Sequence, residues 1–419
     1  MKYEIIGGKK LSGEVKISGN KNSIFPCVSA ALLTDDEVIL ENVSDIRDVE
    51  VIVQILKDLK IEVKRRLDTL TIKASKIEKY KLPEDLVGKL RGSIVFAGAI
   101  LTRVGKVQFN HPGGDIIGQR SIQTHLEGFE KLGASVKKND LEFSVKLPDP
   151  NALENCVIFL HEASVTACEN LILTSVIGKR TVTLKNCPKE PHILDLCRML
   201  ISMGANISGV GSEILIISGV ERLDGTKFRI GTDYIEVGTY IIASAITGGK
   251  VKIVGLDTTD LDPILEFLKR FGIDVFLKNG YIIVSPSNLK STQKITTNIW
   301  PGFPTDLMSA VIVLASQAKG MTLCHDWMYE SRMFFVDKLI SMGAQISLAD
   351  PHRVLVWGPT KLFARVLATP DIRAGMALVL AALVAKGKSE INQAELIERG
   401  YEDVVGKLKE LGADIERSV

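Results

Sequence analysis

The decapeptide "HPGGDIIGQR" at 111–120 sets one carboxylate, Asp115, and one guanidinium, Arg120, in a loop rich in glycine. Glycine permits positive φ and a close approach of the backbone to a ligand, and such loops move readily. Asp115 is therefore either a general acid on a closing loop or a turn-former, because Gly-Asp clusters commonly mark turns. More charge sits in short polar loops that each precede an apolar run: "SGNKNS" (18–23), "GKLRGS" (88–93), "HEASVTA" (161–167), "GTDYIEVG" (231–238), "GFPTDLM" (302–308) and "TPDIRAG" (369–375). If the apolar runs are helices, these loops lie at helix N-termini, where unpaired N–H groups and a partial positive charge attract phosphate and carboxylate. Thr305, Thr369 and Asp233 read as ordinary N-caps. Lys21, Arg91 and Arg373 do not, because a cation at that end opposes the helix dipole. Each calls for an anion, either a carboxylate of the other domain or a substrate. Arg332 in "YESRMF", Arg399 in "ERGYED" and Arg120 extend the set. Together they predict a polyanionic substrate held in a cleft between two domains.

The elements that position these residues come from one unit written six times. "LKDLKIEV", "FEKLGASV", "LISMGANI", "LKRFGIDV", "LISMGAQI" and "LKELGADI" share a pattern whose pivots are Lys60, Gly133, Gly204, Gly272, Gly343 and Gly412. The pivots recur at about 70-residue intervals, and a fixed period is the mark of a repeated supersecondary unit. Each pattern reads as a helix end, a glycine C-cap and an alternating strand. About 25 residues before each pivot lies a short β-like run, such as "DEVILEN" or "GKVKIVG", and before that an apolar stretch such as "GTYIIASAITGG" or "GMALVLAALVAKG". These stretches are apolar nearly all the way round, as in buried helices, and at about 11–14 residues they suit a domain core better than a membrane. Three units around their buried helices make one domain, and two such domains fill the chain. The opening "MKYEIIGGKKLSGEVKIS" reads as strands that complete the domain built by the C-terminal half.

Length and composition agree. A chain of 419 residues exceeds one ordinary core. Its 46% hydrophobic and 24% charged residues are those of a soluble globular protein. A formal charge of +2 and the lack of a Lys/Arg run give no basic field for nucleic acid. Cys27, Cys156, Cys168, Cys187, Cys197 and Cys324 form no Cys-x-x-Cys pair and read as reduced cytosolic thiols, not as a zinc site. No apolar run reaches a membrane span, and "MKYEIIGGKK" lacks a signal-peptide core, so the expected location is the cytoplasm.

The segments "GEVKISGNKNS", "LRGSIVFAGAILTR", "PGGDIIGQR", "FPTDLM", "ESRMFFVDKLISMGA", "DIRAGMALVLA" and "ERGYEDVVGKLKELGADIER" resemble the UDP-N-acetylglucosamine 1-carboxyvinyltransferases over nearly the whole chain. The resemblance implies an α/β fold: a two-domain inside-out α/β barrel, each domain three repeats of a βαβαββ-type unit. It places one domain at 21–230, with the Asp115 loop, and the other at 1–20 plus 231–419. It implies transfer of the enolpyruvyl group of phosphoenolpyruvate to the 3-hydroxyl of UDP-N-acetylglucosamine, the first committed step of peptidoglycan precursor synthesis. No metal and no organic cofactor are implied, and the partners are these two small molecules, with neither nucleic acid nor membrane. Carried over by position, Lys21, Asn22, Arg120, Arg332, Arg373 and Arg399 bind phosphoenolpyruvate. Arg91, Arg120, Ser121, Ile122, Gln123, Thr124, His125, Ser164, Val165, Asp306 and Met328 lie on the sugar-nucleotide side. Asp306 is the favoured base, and Asp115, Lys21 and Arg399 complete the catalytic set. Many relatives in that family carry cysteine where this chain has Asp115. Gln123, Thr166, Tyr234 and Arg47 also depart from the usual residues, the first two on the uridine side. The nearest alternative is a transferase like 5-enolpyruvylshikimate-3-phosphate synthase, whose Gly-Ser-Lys-Ser start is replaced here by "GNKNS". Another is a non-catalytic UDP-sugar-binding paralogue, against which the presence of Lys21, Asp115, Asp306 and Arg399 argues.

Addition followed by elimination needs two groups in opposite protonation states. Arginine only donates and stays charged, so the arginines orient and neutralise. Asp306, at a helix start, suits the base, and Asp115, on a loop that can exclude water, suits the acid. An epoxide such as fosfomycin, which alkylates the family's cysteine, is expected to be ineffective against a carboxylate at that position.

Overall fold

The computed structural model describes residues 1–418 except 116, 119, 149–153, 258–260 and 279. The chain forms two compact units. One, the Lys21 unit, comprises Gly19–Gly114 and Arg120–Gly231. The other, the Asp306 unit, comprises Met1–Ser18, Asp115–Gln119 and Thr232–Val419.

All six sheets follow one plan, three in each unit. In the Asp306 unit Ser12–Lys16 runs parallel to Lys250–Val254, which pairs antiparallel with Tyr281–Ser285, and that strand with Asp274–Lys278. Lys294–Thr296 opens a second sheet in the same way, and Val366–Ala368 a third. The third is closed by the N-terminus: Lys2–Ile6 lies between Lys388–Asn392 and Asp414–Ser418, antiparallel to both. The opening strands thus complete the C-terminal half, as their sequence predicts. In the Lys21 unit, Lys227–Arg229 and Cys156–Phe159 supply the parallel strand of two sheets. In the remaining sheet a single bridge, Lys81 to Gln108, takes that place. The sequence period is therefore a βαβαββ unit.

Each unit packs its three inner helices against its sheets. In the Lys21 unit these are Lys21–Ala31, Phe96–Val104 (entered through the 3₁₀ turn Arg91–Val95) and Val165–Ser175. In the Asp306 unit they are Tyr234–Ile246, Met308–Gln317 (entered through Thr305–Leu307) and Ile372–Val384. Nearly every residue of these helices is buried, which explains an apolar pattern without a polar face. The outer helices are one-sided: Arg47–Asp58 buries Asp48, Val49, Ile52, Ile55 and Leu56. All six pivots have positive φ, from 61° at Lys60 to 104° at Gly343, so the repeat marks a left-handed helix exit.

Two readings of helix starts need correction. Thr305 is no cap: Pro304 precedes its 3₁₀ turn, and its hydroxyl donates to Asp326 Oδ2 at 2.5 Å. Thr369 is no cap either, because Asp371 takes that role, accepting from Arg373 N at 2.8 Å and Ala374 N at 3.0 Å. A carboxylate one residue from the helix out-competes a hydroxyl three residues away. Asp233 does cap its helix, accepting from Ile235 N and Glu236 N.

Candidate active site

In the Asp306 unit, three sequence-predicted residues meet. Asp306 sits in the turn before its inner helix, and Arg373 in the first turn of the next one. Arg332 comes from the segment before the helix Val336–Ser341. Asp306 Oδ1 accepts from Arg332 Nη2 at 3.1 Å, while Oδ2 accepts from Arg373 Nε at 3.1 Å and pairs with its Nη2 at 2.9 Å. The guanidiniums are only 2% and 5% exposed. Burial is the largest single influence and would lower the pKa of both, but Asp306 together with the other acidic groups around them outweighs it and raises both. Among the described residues, Arg332 Nε and Arg373 Nη1 are buried donors with no hydrogen-bond partner. Buried guanidinium donors are costly to leave unmatched. Such donors can each give a hydrogen bond to an oxyanion. Burial raises the pKa of the Asp371 cap, against the opposing charge of Arg332.

Asp115 belongs by contacts to the same unit. Its Oδ1 accepts from Arg399 Nη1 at 2.9 Å, both side chains 18% exposed. Arg399 ends the 3₁₀ turn Ala394–Arg399. Arg399 is thus a cation partner of Asp115 within this unit. Gly114 adopts φ +112°, and a Cβ there would lie 3.0 Å from Arg91 Cβ and 3.1 Å from Arg120 Nη2. Glycine is required at that point because backbone passes directly over the two arginine side chains. Met328 N donates to Asp326 Oδ1 at 3.0 Å. Asp326 is fully buried and also accepts from Thr297 and Thr305, so it ties Met328 to the Asp306 turn.

In the Lys21 unit, Lys21 opens its inner helix and its Nζ lies 2.8 Å from Asp48 Oδ2. The Asn22 N–H is taken by the Asn20 cap at 2.9 Å. Arg91 Nη2 donates to Ser121 O at 2.8 Å, fixing the 120–124 segment. Ser121 Oγ accepts from Gln123 N, and Gln123 Nε2 donates to Glu127. Ile122 is buried, and Thr124 half-buried at the start of the helix Gln123–Lys131. Ser164 occupies the cap position of Val165–Ser175 without a side-chain cap bond, and both Ser164 and Val165 are half-buried.

Sequence reasoning missed the residue that joins these segments. Asn170 is fully buried in the inner helix Val165–Ser175. Its Oδ1 accepts from Gly98 N at 2.7 Å, and its Nδ2 donates to Ile94 O at 3.0 Å and to His125 Nδ1 at 2.9 Å. The amide orientation makes His125 Nδ1 an acceptor, which assigns the ring proton to Nε2. Nε2 then donates to Thr166 Oγ1 at 3.0 Å. Gly98 is obligatory, since a Cβ there would meet Asn170 O and Oδ1 at 2.6 Å. One amide therefore spaces the Arg91 turn, the 120–125 segment and the Ser164 helix start. His125 itself is 0% exposed with both nitrogens engaged inside the unit.

This burial makes a testable prediction. Desolvation, with the Arg91 charge second, holds the His125 pKa down at about 3, against about 6.5 in an unfolded chain. The neutral form is the folded one, so its stabilising contribution is present above about pH 6.5 and is lost as pH falls towards 3. The linked slope is at most about 1.4 kcal/mol per pH unit for one proton. Urea unfolding at pH 7 and pH 5 is expected to show acid destabilisation that flattens in His125→Gln. Equal slopes in the two proteins would contradict the assignment.

Among the described residues no group of three or more His, Cys, Asp or Glu is arranged to hold a metal ion. No helix among them is long and apolar enough to cross a membrane.

The sequence matches the profile of the EPSP synthase (3-phosphoshikimate 1-carboxyvinyltransferase) family over residues 5–408. It is 46% identical over 423 residues to the UDP-N-acetylglucosamine 1-carboxyvinyltransferase of Borreliella burgdorferi, covering 99% of this chain and 98% of that one. The chain belongs to the UDP-N-acetylglucosamine 1-carboxyvinyltransferase family. Within it, the enzyme of the same name from Bradyrhizobium diazoefficiens is 42% identical over 427 residues, covering 100% of this chain and 98% of its own. Among solved structures, the enolpyruvyl transferase NikO from Streptomyces tendae has a TM-score of 0.88 at 26% identity, covering 99% of this chain and 98% of that one. EPSP synthase from Acinetobacter baumannii, at 16% identity and a TM-score of 0.78 over 100% of both chains, shares the fold. These neighbours and the six βαβαββ units agree with the inside-out α/β barrel that the carboxyvinyltransferase resemblance implies.

Proposed function

We infer that the protein transfers the enolpyruvyl group of phosphoenolpyruvate to the 3-hydroxyl of UDP-N-acetylglucosamine and releases phosphate, opening peptidoglycan precursor synthesis in the cytoplasm. The observation that carries this reading is the Asp306 cluster, where two buried arginines grip a carboxylate and each keeps one buried donor nitrogen unmatched among the described residues. That donor surplus suits a small, highly charged substrate with phosphate and carboxylate groups.

Lys21, Asn22, Arg120, Arg332, Arg373 and Arg399 bind the phosphate and carboxylate of phosphoenolpyruvate. Arg91, Ser121–Thr124, Ser164, Val165 and Met328 serve the sugar nucleotide, with His125 holding their segments through Asn170. Asp306 takes the proton of the sugar hydroxyl as its oxygen bonds to C2 of phosphoenolpyruvate, and Asp115 gives a proton to C3. In the second step the C2–O bond to phosphate breaks, phosphate leaves and C3 loses a proton, restoring the double bond. Both carboxylates are paired with arginine, Asp115 with Arg399 and Asp306 with Arg332 and Arg373. Ionised and paired, a carboxylate only accepts hydrogen bonds. Asp306, as the base, works in that ionised state with its arginines in place. Asp115, as the acid, must first take up a proton, which requires a substrate anion to draw Arg399 away from it.

Phosphate release from phosphoenolpyruvate tests the acceptor. Release is expected with UDP-N-acetylglucosamine and not with shikimate 3-phosphate; the reverse preference would overturn the reading.

A further inference from the structure

Tyr401 is 3% exposed and lies two residues after Arg399, where its N–H donates to Ile397 O at 3.1 Å. Its ring stands against the Arg373 guanidinium, 5.1 Å from ring centroid to guanidinium carbon. Its hydroxyl is 3.1 Å from Thr239 Oγ1. Thr239 is fully buried in the inner helix Tyr234–Ile246, and its own hydroxyl proton goes to Ile235 O at 2.8 Å. Thr239 can then only accept from Tyr401, so the tyrosine is the donor. Burial raises the Tyr401 pKa, with Arg373 and Thr239 acting the other way, which keeps the phenol protonated for that bond. A continuous relay results. Thr239 on the first inner helix fixes Tyr401, Tyr401 backs Arg373 on the third, and Arg373 forks Asp306 at the start of the second.

We propose that Tyr401 is a positioning residue that sets the plane of the Arg373 fork and, through it, the orientation of Asp306 towards the acceptor hydroxyl. The inference rests on Asp306 acting as the base. Cation–π contact on a buried guanidinium face restrains rotation about the side chain, and a fork hydrogen bond is directional. Tyr401 reaches the chemistry only through Arg373. Its loss therefore affects the reacting geometry more than substrate capture.

The test is steady-state kinetics on Tyr401→Phe, Tyr401→Leu, Thr239→Ala and Asp306→Asn, with thermal melts as a check on folding. Tyr401→Phe keeps the ring and is expected to lose about 3- to 10-fold in kcat. Tyr401→Leu loses ring and hydroxyl and is expected to lose about 50-fold or more, with KM for both substrates within about 3-fold of wild type. Thr239→Ala is expected to match Tyr401→Phe, and the two together to be no worse than either alone. Adding Tyr401→Leu to Asp306→Asn is expected to cost nothing further. A fully active Tyr401→Leu protein, a loss confined to KM, or independent multiplication with Asp306→Asn would each overturn the positioning role. An active Asp306→Asn protein would instead overturn the base assignment, whatever the tyrosine variants do.

Discussion

Asp306→Asn is expected to lower kcat by at least about 10²-fold, within the roughly 10²–10⁴-fold that general-base catalysis supplies, while UDP-N-acetylglucosamine binding stays measurable. The amide keeps the volume and one accepting oxygen, so part of the contact with Arg332 and Arg373 persists. It cannot take a proton at neutral pH. It also turns an amide N–H towards one of two buried guanidiniums, leaving them less well neutralised. Turnover by single-turnover quench and nucleotide affinity by calorimetry separate the two effects. Retention of more than about a tenth of wild-type kcat would mean that Asp306 orients the substrate without removing its proton.

Asp115 carries the second large effect. Asp115→Asn is expected to be nearly inactive, since it preserves the shape of the side chain beside Arg399 but can neither hold nor donate the transferred proton. Asp115→Cys is expected to keep activity with its pH optimum moved upward, because a thiol, with a reference pKa near 8.5, is protonated at neutral pH without help. The cysteine variant is also expected to become sensitive to fosfomycin. Its thiolate would attack an epoxide carbon, form a thioether and open the C–O bond, the freed oxygen taking a proton. A carboxylate is the poorer nucleophile, so the wild-type protein is expected to survive the same incubation. Time-dependent inactivation of the wild type, with an adduct on the 111–120 peptide, would remove Asp115 from the acid role.

Much of the fold was legible because the repeat is chemically literal. All six pivots fall at positive φ, and that requirement had left glycine at five of them in the sequence. Continuous apolar runs announced inner helices because such helices have no solvent face. The individual partners were harder to see, because side-chain pairing depends on distances that spacing does not fix. Asp115 is bonded to Arg399, 284 residues away in the chain, and no spacing in the sequence announces that pair. Helix starts misled at Thr305 and Thr369 because any Ser, Thr or Asp there looks like a cap, and only the backbone shows which one reaches the N–H groups. Two missed residues did leave a signal. Asp48 lies on the apolar stripe of its helix and Asn170 within an all-round apolar run, and a polar residue in such a place must be matched internally. Tyr401 left none, since an aromatic after a turn is ordinary core.

The most direct test of enolpyruvyl transfer by addition and elimination is turnover in D₂O, with the product and residual phosphoenolpyruvate read by NMR and mass spectrometry. A proton delivered to C3 and then removed passes through a methyl group, so deuterium is expected at the C3 methylene of the enolpyruvyl sugar nucleotide, with one phosphate released per product and none without UDP-N-acetylglucosamine. Product formed without deuterium at C3, or phosphate released without the acceptor, would contradict the account.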